Sequence, residues 1–109
     1  MSLEDLARLS ALHLNNCKIG NAALSHVKDL KALGRLDLSG TNVGDAGLAC
    51  LDDLHTLWCL SLANTKITDA GLQHLKTLKL QVVCVTGCHV TDVGVADLQK
   101  ALPNCEIIR

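Results

Sequence analysis

The sequence predicts a short α/β solenoid: a right-handed superhelix with parallel strands on its concave face and helices on its convex face, about four repeats plus a terminal strand. Three observations predict it. A 24-residue unit recurs almost four times, so that Leu33–Leu48 is matched 24 residues later by Leu57–Leu72. Self-similarity at such a period marks a stack of like supersecondary units. Within each unit apolar residues first alternate at period two, as on a half-buried strand, and then recur every third residue, as on a helix. Finally, 49% of the 109 residues are hydrophobic, yet only Trp58 is aromatic. A core without Phe or Tyr has to be built in thin, regular layers of Leu, Val, Ile and Ala.

The repeats start at Leu9, Leu33, Leu57 and Leu80, and a terminal strand near residues 105–107 counts from Leu102, giving spacings of 24, 24, 23 and 22. Each opens on a strand: Leu9/Leu12/Leu14, Leu33/Leu36/Leu38, Leu57/Leu60/Leu62, Leu80/Val83/Val85 and, at the end, Leu102/Cys105/Ile107. A turn follows at Asn16, Gly40, Asn64 and Gly87, residue types that tolerate a left-handed backbone. Ile19, Val43, Ile67 and Val90 then plug the interior. Gly20-Asn21, Gly44-Asp45, Thr68-Asp69 and Thr91-Asp92 start the helices, where an Asn, Asp or Thr can accept a hydrogen bond from a free backbone N–H. The buried helix stripes are Leu24/Val27/Leu30, Leu48/Leu51/Leu54, Leu72/Leu75/Leu78 and Val95/Leu98/Ala101. Gly47, Gly71 and Gly94, with Ala23 in the first copy, imply close packing of helix on helix. The whole of 1–109 reads as one domain, with 2–8 as the tail of a preceding helix, its Leu3 and Leu6 in stripe positions and Ser2 as its cap. On that reading the array begins part-way through a repeat.

The pattern L-x-x-L-x-L-x-x-T-x-I-T-D-x-G-L-x-x-L-x-x-L, clearest in Leu57–Leu78, resembles the leucine-rich repeat family. Within it the chain is similar to the ribonuclease-inhibitor-like subclass found in F-box substrate receptors and many bacterial repeat proteins. The ending Leu102-Pro103-Asn104-Cys105 is similar to that group's terminus, and the resemblance covers residues 3–107. It implies a solenoid. For function it implies only a binding role, since one fold hosts many.

Composition narrows the function classes. Ten Lys+Arg against 11 Asp+Glu give a formal charge of −1, and a nucleic-acid partner calls for a basic face. No run reaches the ~18 apolar residues of a membrane span. Cys17, Cys50, Cys59, Cys84, Cys88 and Cys105 form no C-x-x-C pair. Their positions in the repeat point to free thiols and hence to a cytoplasmic protein, although a longer parent chain could be exported. Cys17 and Cys88 stand where the other copies have Thr41 and Thr65, which suits a small residue turned inward. Only Cys59 and Cys84 share the concave face on adjacent strands, and a two-residue stagger sets them wrongly for a disulfide.

The candidate surface is the outward side of the strands, a strip ~20 Å wide. One column across it reads His13, Asp37, Ser61, Cys84, Glu106. A Ser-His-Asp relay needs the His between the other two, whereas Asp37 lies between His13 and Ser61 and leaves them ~10 Å apart. Zinc needs its ligands at ~2.0–2.3 Å from one point, and the column is spread too widely for that. A second row of His26, Cys50 and His74 on the helices is also spaced too widely, at ~8–10 Å per step. No catalytic, cofactor-binding or metal-binding residue is therefore assigned, and a contact of Asp37 with His13 or Arg35 is expected. Trp58 is either a binding anchor, as Trp is enriched at interface hot spots, or a ring resting on Gly34 and Gln81.

The expectation is a non-catalytic protein-interaction module without a cofactor, binding a protein or peptide through His13, Arg35, Asp37, Trp58, Cys59, Ser61 and Cys84. Two alternatives stand beside it. The repeats are a structural spacer from a longer array, able to self-associate through an open N-terminal edge. Or, by the family likeness, they are the substrate-receptor repeats of a ubiquitin ligase, although the sequence contains no F-box.

Overall fold

A computed structural model describes residues 9–109; the helix tail expected at 2–8 lies outside them. Five strands form one parallel sheet in sequence order: β1 (Ala11–His13), β2 (Arg35–Asp37), β3 (Cys59–Ser61), β4 (Val82–Cys84) and β5 (Glu106–Ile108). The helices between them are α1 (Asn21–Val27), α2 (Asp45–Leu48), α3 (Asp69–Leu72) and α4 (Asp92–Ala101). This is the expected solenoid, with the strands on one face and the helices on the other. The register is one repeat per strand: Leu12, Leu36, Leu60, Val83 and Ile107 stand side by side.

The core is a set of leucine layers between the sheet and the helices. Leu33, Leu36, Leu38, Val43, Leu48, Leu51 and Leu54 of the second repeat are all 2% exposed or less. Their counterparts in the third repeat are buried to the same degree. Leu12, Leu14 and Ile19 of the first repeat are only partly buried.

The turns hold to expectation. Asn16, Gly40, Asn64 and Gly87 all have positive φ, between 59° and 76°. Asn and Gly alternate for a reason of space: a Cβ at Gly40 would overlap the side-chain oxygen of Asn16, and one at Gly87 that of Asn64.

The three-residue stripe also has a cause. After four α-helical residues, α2 and α3 tighten into 3-10 turns at Ala49–Leu51 and Gln73–Leu75. Three residues per turn eclipse i and i+3, so Leu48, Leu51 and Leu54 stay on one side. The last helix remains a regular α-helix for ten residues. Its stripe therefore drifts, and Ala101, expected inside, is exposed, while Leu98 is buried and Leu102 half-buried.

The register of β5 corrects a second expectation. Val83 pairs with Ile107 and Cys84 with Ile108, so the final strand keeps the 24-residue step. Counting from Leu102 set it two residues out, because the longer α4 absorbs the difference. Ile108, at 42% exposure, and not Glu106, continues the column of His13, Asp37, Ser61 and Cys84.

Candidate binding surface

Two surfaces carry polar side chains in a repeated arrangement. The first is the edge where the helices begin. An Asn, Asp or Thr was expected to cap each helix; a Thr does so for α3 and α4, while Asn21, Asp45 and Asp69 do not cap their own helices. They hold the next repeat instead. Asn21 Oδ1 accepts from Gly44 N at 2.7 Å. Asp45 accepts from Thr68 N at 2.8 Å and Thr68 Oγ1 at 2.5 Å, and Asp69 accepts from Thr91 N and Oγ1 at the same two distances. The side chains that cap α3 and α4 are Thr68 and Thr91, accepting from Ala70 N and Gly94 N. The glycines before the stripes make room for this ladder: a Cβ at Gly47, Gly71 or Gly94 would overlap the side-chain oxygen of Asn21, Asp45 or Asp69. The close neighbour is thus a side chain of the preceding repeat. Thr91 hydroxyl and amide donors hold the Asp69 carboxyl below its usual value.

The second surface is the concave sheet face. Alternation along each three-residue strand sends its middle residue inward and its first and third outward. The outward rows are Ala11, Arg35, Cys59, Val82, Glu106 and His13, Asp37, Ser61, Cys84, Ile108. His13, Arg35, Asp37, Cys59 and Ser61 come together around a depression of about 180 Å³, with Leu36 at its floor. Cys84 lies one strand beyond and is 3.4 Å from Thr86 Oγ1.

Trp58 is 40% exposed at the rim. Its ring lies over Gly34, where an added Cβ would come within 2.9 Å of the indole nitrogen. The Arg35 guanidinium carbon is 5.9 Å from the ring centroid, within cation–π reach. Asp37 does not meet Arg35 or His13 in an ion pair, as had been expected. Its Oδ1 accepts from Ser39 N at 3.0 Å, the short side chain folding onto its own backbone two residues on. Arg35, two residues away along the strand (~6.6 Å), turns to the indole. Ser39, whose hydroxyl is 2.6 Å from that of Ser61, and Ile108 also belong to this face, as strand alternation implied for both, although neither was counted among the binding residues; the register of β5 moves Ile108 only along the strand, into line with Cys84.

Chemically the face can bind and does not assemble a relay. The register keeps Asp37 between His13 and Ser61. Among the described residues no three His, Cys, Asp or Glu side chains converge as metal ligands. His74, from the helix row, instead sits 3.6 Å from Asp52. All six cysteines are free, with Cys59 opposite Val82 and Cys84 opposite Ser61. Burial pushes the Cys105 thiol above its usual pKa, with Glu106 adding to the shift. Cys17, expected to turn inward, is exposed. At this position Thr41 and Thr65 donate to Leu38 O and Leu62 O of their own repeats, both at 2.7 Å, and Cys88 donates to Leu62 O of the preceding repeat at 2.9 Å. A wider groove of about 420 Å³ at Asp69, Gln73, Val93 and Lys100 lies on the helix side.

With this geometry in hand, the class of protein follows. Residues 33–51 and 53–76 match the family model described as Leucine Rich repeat, and the fold is a leucine-rich repeat solenoid. Among solved structures, an LRR protein of Leptospira interrogans is 27% identical with a TM-score of 0.69, over 91% of this chain and 25% of that one. An internalin and an internalin C2 of Listeria monocytogenes share the fold at 20% and 22% identity and TM-scores of 0.58 and 0.57. They cover 95% and 98% of this chain and 35% and 55% of theirs. The chain thus spans between a quarter and about half the length of these structures. No curated protein matches it in sequence. Leucine-rich repeats commonly serve as protein-interaction modules.

Proposed function

We propose that this chain is a non-catalytic interaction module that binds a protein or peptide across its concave face. The residues are His13, Arg35, Asp37, Trp58, Cys59, Ser61 and Cys84. The observation that carries this reading is the pairing of an exposed Trp58 with Arg35 beside a polar depression. Trp and Arg are the side chains most enriched at binding hot spots. Arg35 presents its donors outward, having no ion-pair partner among the described residues. Five strands offer a footprint near the small end of specific interfaces.

The experiment is a pull-down from the native cell with the chain as bait. The Arg35→Ala/Asp37→Ala variant and Trp58→Ala should lose the captured protein while remaining folded. Capture at wild-type levels by both variants would move the site off the concave face. A formal charge of −1 favours a protein over nucleic acid, and no helix among the described residues is long and apolar enough to cross a membrane. Six free thiols support a cytoplasmic location. The ribonuclease-inhibitor-like subclass, and with it the ubiquitin-ligase receptor role, rests on the repeat motif alone.

One observation favours the spacer reading: the chain spans a quarter of the Leptospira protein it resembles. On that reading recognition lies mostly in other repeats, and the half-buried Leu12, Leu14 and Ile19 form an edge for self-association. Light scattering separates the two, since association of the isolated chain favours the spacer.

A further inference from the structure

The outward side chains of the concave face divide into two halves. Arg35 and Asp37 on β2, with His13 beside Asp37 on β1, make a charged half. Val82 and Cys84 on β4, with Cys59 before them and the 42% exposed Ile108 after, make an apolar half. Glu106 stands at the far corner, beside Val82.

The charged half is prepared for a carboxylate. Arg35 is exposed, and its guanidinium carbon lies 5.9 Å from the Trp58 ring centroid. Stacking on an aromatic face leaves the edge of a guanidinium to meet a carboxylate in two parallel hydrogen bonds. The ring beneath it rests over Gly34, which fixes the platform. Across the depression of about 180 Å³ stands Ser61, its hydroxyl 2.6 Å from that of Ser39. One hydroxyl donates to the other, so the pair keeps one hydrogen to give. Asp37 opposes a second acid. Its charge is ~6.6 Å from Arg35 along the strand, whereas a carboxylate bonded to Arg35 would be ~3 Å away. Coulomb energy falls with distance, so attraction wins on Arg35 itself and repulsion wins beside Asp37. Glu106 repels an acid at the far corner in the same way.

We propose that the partner segment crosses the strands in extended form, seats one acidic side chain on Arg35 and lays apolar side chains on the half beyond. The inference rests on the concave-face reading and adds which chemistry that face reads. Neighbouring strands are ~4.8 Å apart, and alternate residues of an extended chain ~6.6 Å. Counted from the acid, the second residue therefore meets Cys59 and Val82, and the fourth meets Cys84 and Ile108. The motif is a single acid with apolar residues at the next two alternate positions, in either chain direction. An acidic run does not satisfy it.

The probe is a phage-displayed library of random linear peptides, selected on the immobilised full chain. Wild type should enrich that motif. Synthetic copies of the enriched peptides, labelled and followed by fluorescence polarisation, should lose about fivefold or more in affinity when the acid is replaced by its amide. The same replacement should change nothing on Arg35→Ala. No enrichment, enrichment without the acid, or equal affinity of the acid and amide forms for wild type overturns the proposal. The concave-face reading is judged apart from it on Trp58→Ala. Peptides that ignore the acid yet bind this variant less tightly than wild type leave that reading standing, and peptides that bind both chains equally remove it as well.

Discussion

The helix-start edge and the concave strip are cut from the same repeats, yet their side chains face opposite demands. At the edge, Asn21, Asp45 and Asp69 each answer a donor in the next repeat, and Gly47, Gly71 and Gly94 each leave room for the answer. Residue type there is set by the neighbour, so it repeats. On the strip, Arg35 rests on an indole and Asp37 on its own backbone. The contacts that do cross between repeats here, Arg35 on Trp58 and the Ser39 hydroxyl on that of Ser61, do not recur from one repeat to the next, and the residues vary. Repetition in this chain marks what the stack requires, and variation marks what is left for a partner.

Four perturbations break or sharpen that contrast. The largest effect belongs to the layer beneath both surfaces: Leu60→Ala, at the centre of β3 and 1% exposed, should cost roughly 2–5 kcal/mol in urea unfolding. Next is the ladder. Asp45→Ala leaves Thr68 N and Oγ1 without their acceptor and should cost roughly 1–3 kcal/mol, with Asp45→Asn recovering part of it, as Asn21 serves Gly44.

A smaller effect is its pH dependence. Because the folded state holds Asp69 below its usual pKa, the unfolded chain binds protons more readily on acidification. The stabilisation is complete above the unfolded carboxylate value, roughly pH 4, and is lost as the pH falls through the folded one. Urea midpoints should decline through that window in wild type and decline less in Asp69→Asn. The smallest stability effect is expected on the strip: Arg35→Ala/Asp37→Ala should shift unfolding by no more than about 0.5 kcal/mol. A loss as large as that of Asp45→Ala would erase the distinction between the two surfaces.

Much of this was legible in the sequence. Period-two alternation located Leu36 and Leu60 in the core, and residue type alone located the left-handed turns at Asn16, Gly40, Asn64 and Gly87. The outward positions of the candidate site followed from the same alternation. What escaped was anything set between repeats. Asp45 has the composition of a cap for its own helix, and only three-dimensional stacking turns it toward Thr68. The pairing of Ile107 with Val83 depended on the length of α4, which no spacing of leucines conveys. The expected Arg35–Asp37 contact failed because a short carboxylate finds its own backbone before it finds a neighbour.

The alternation of Asn16, Gly40, Asn64 and Gly87 also constrains how such an array can grow. Each Asn lies where the following turn must lack a side chain. Copying a single Asn-type repeat beside itself would set amide against amide and force one of them out of its seat. Copying two adjacent repeats together preserves the match at every junction. The heritable module of this protein, and the unit an engineer should use to lengthen it, is the pair of repeats.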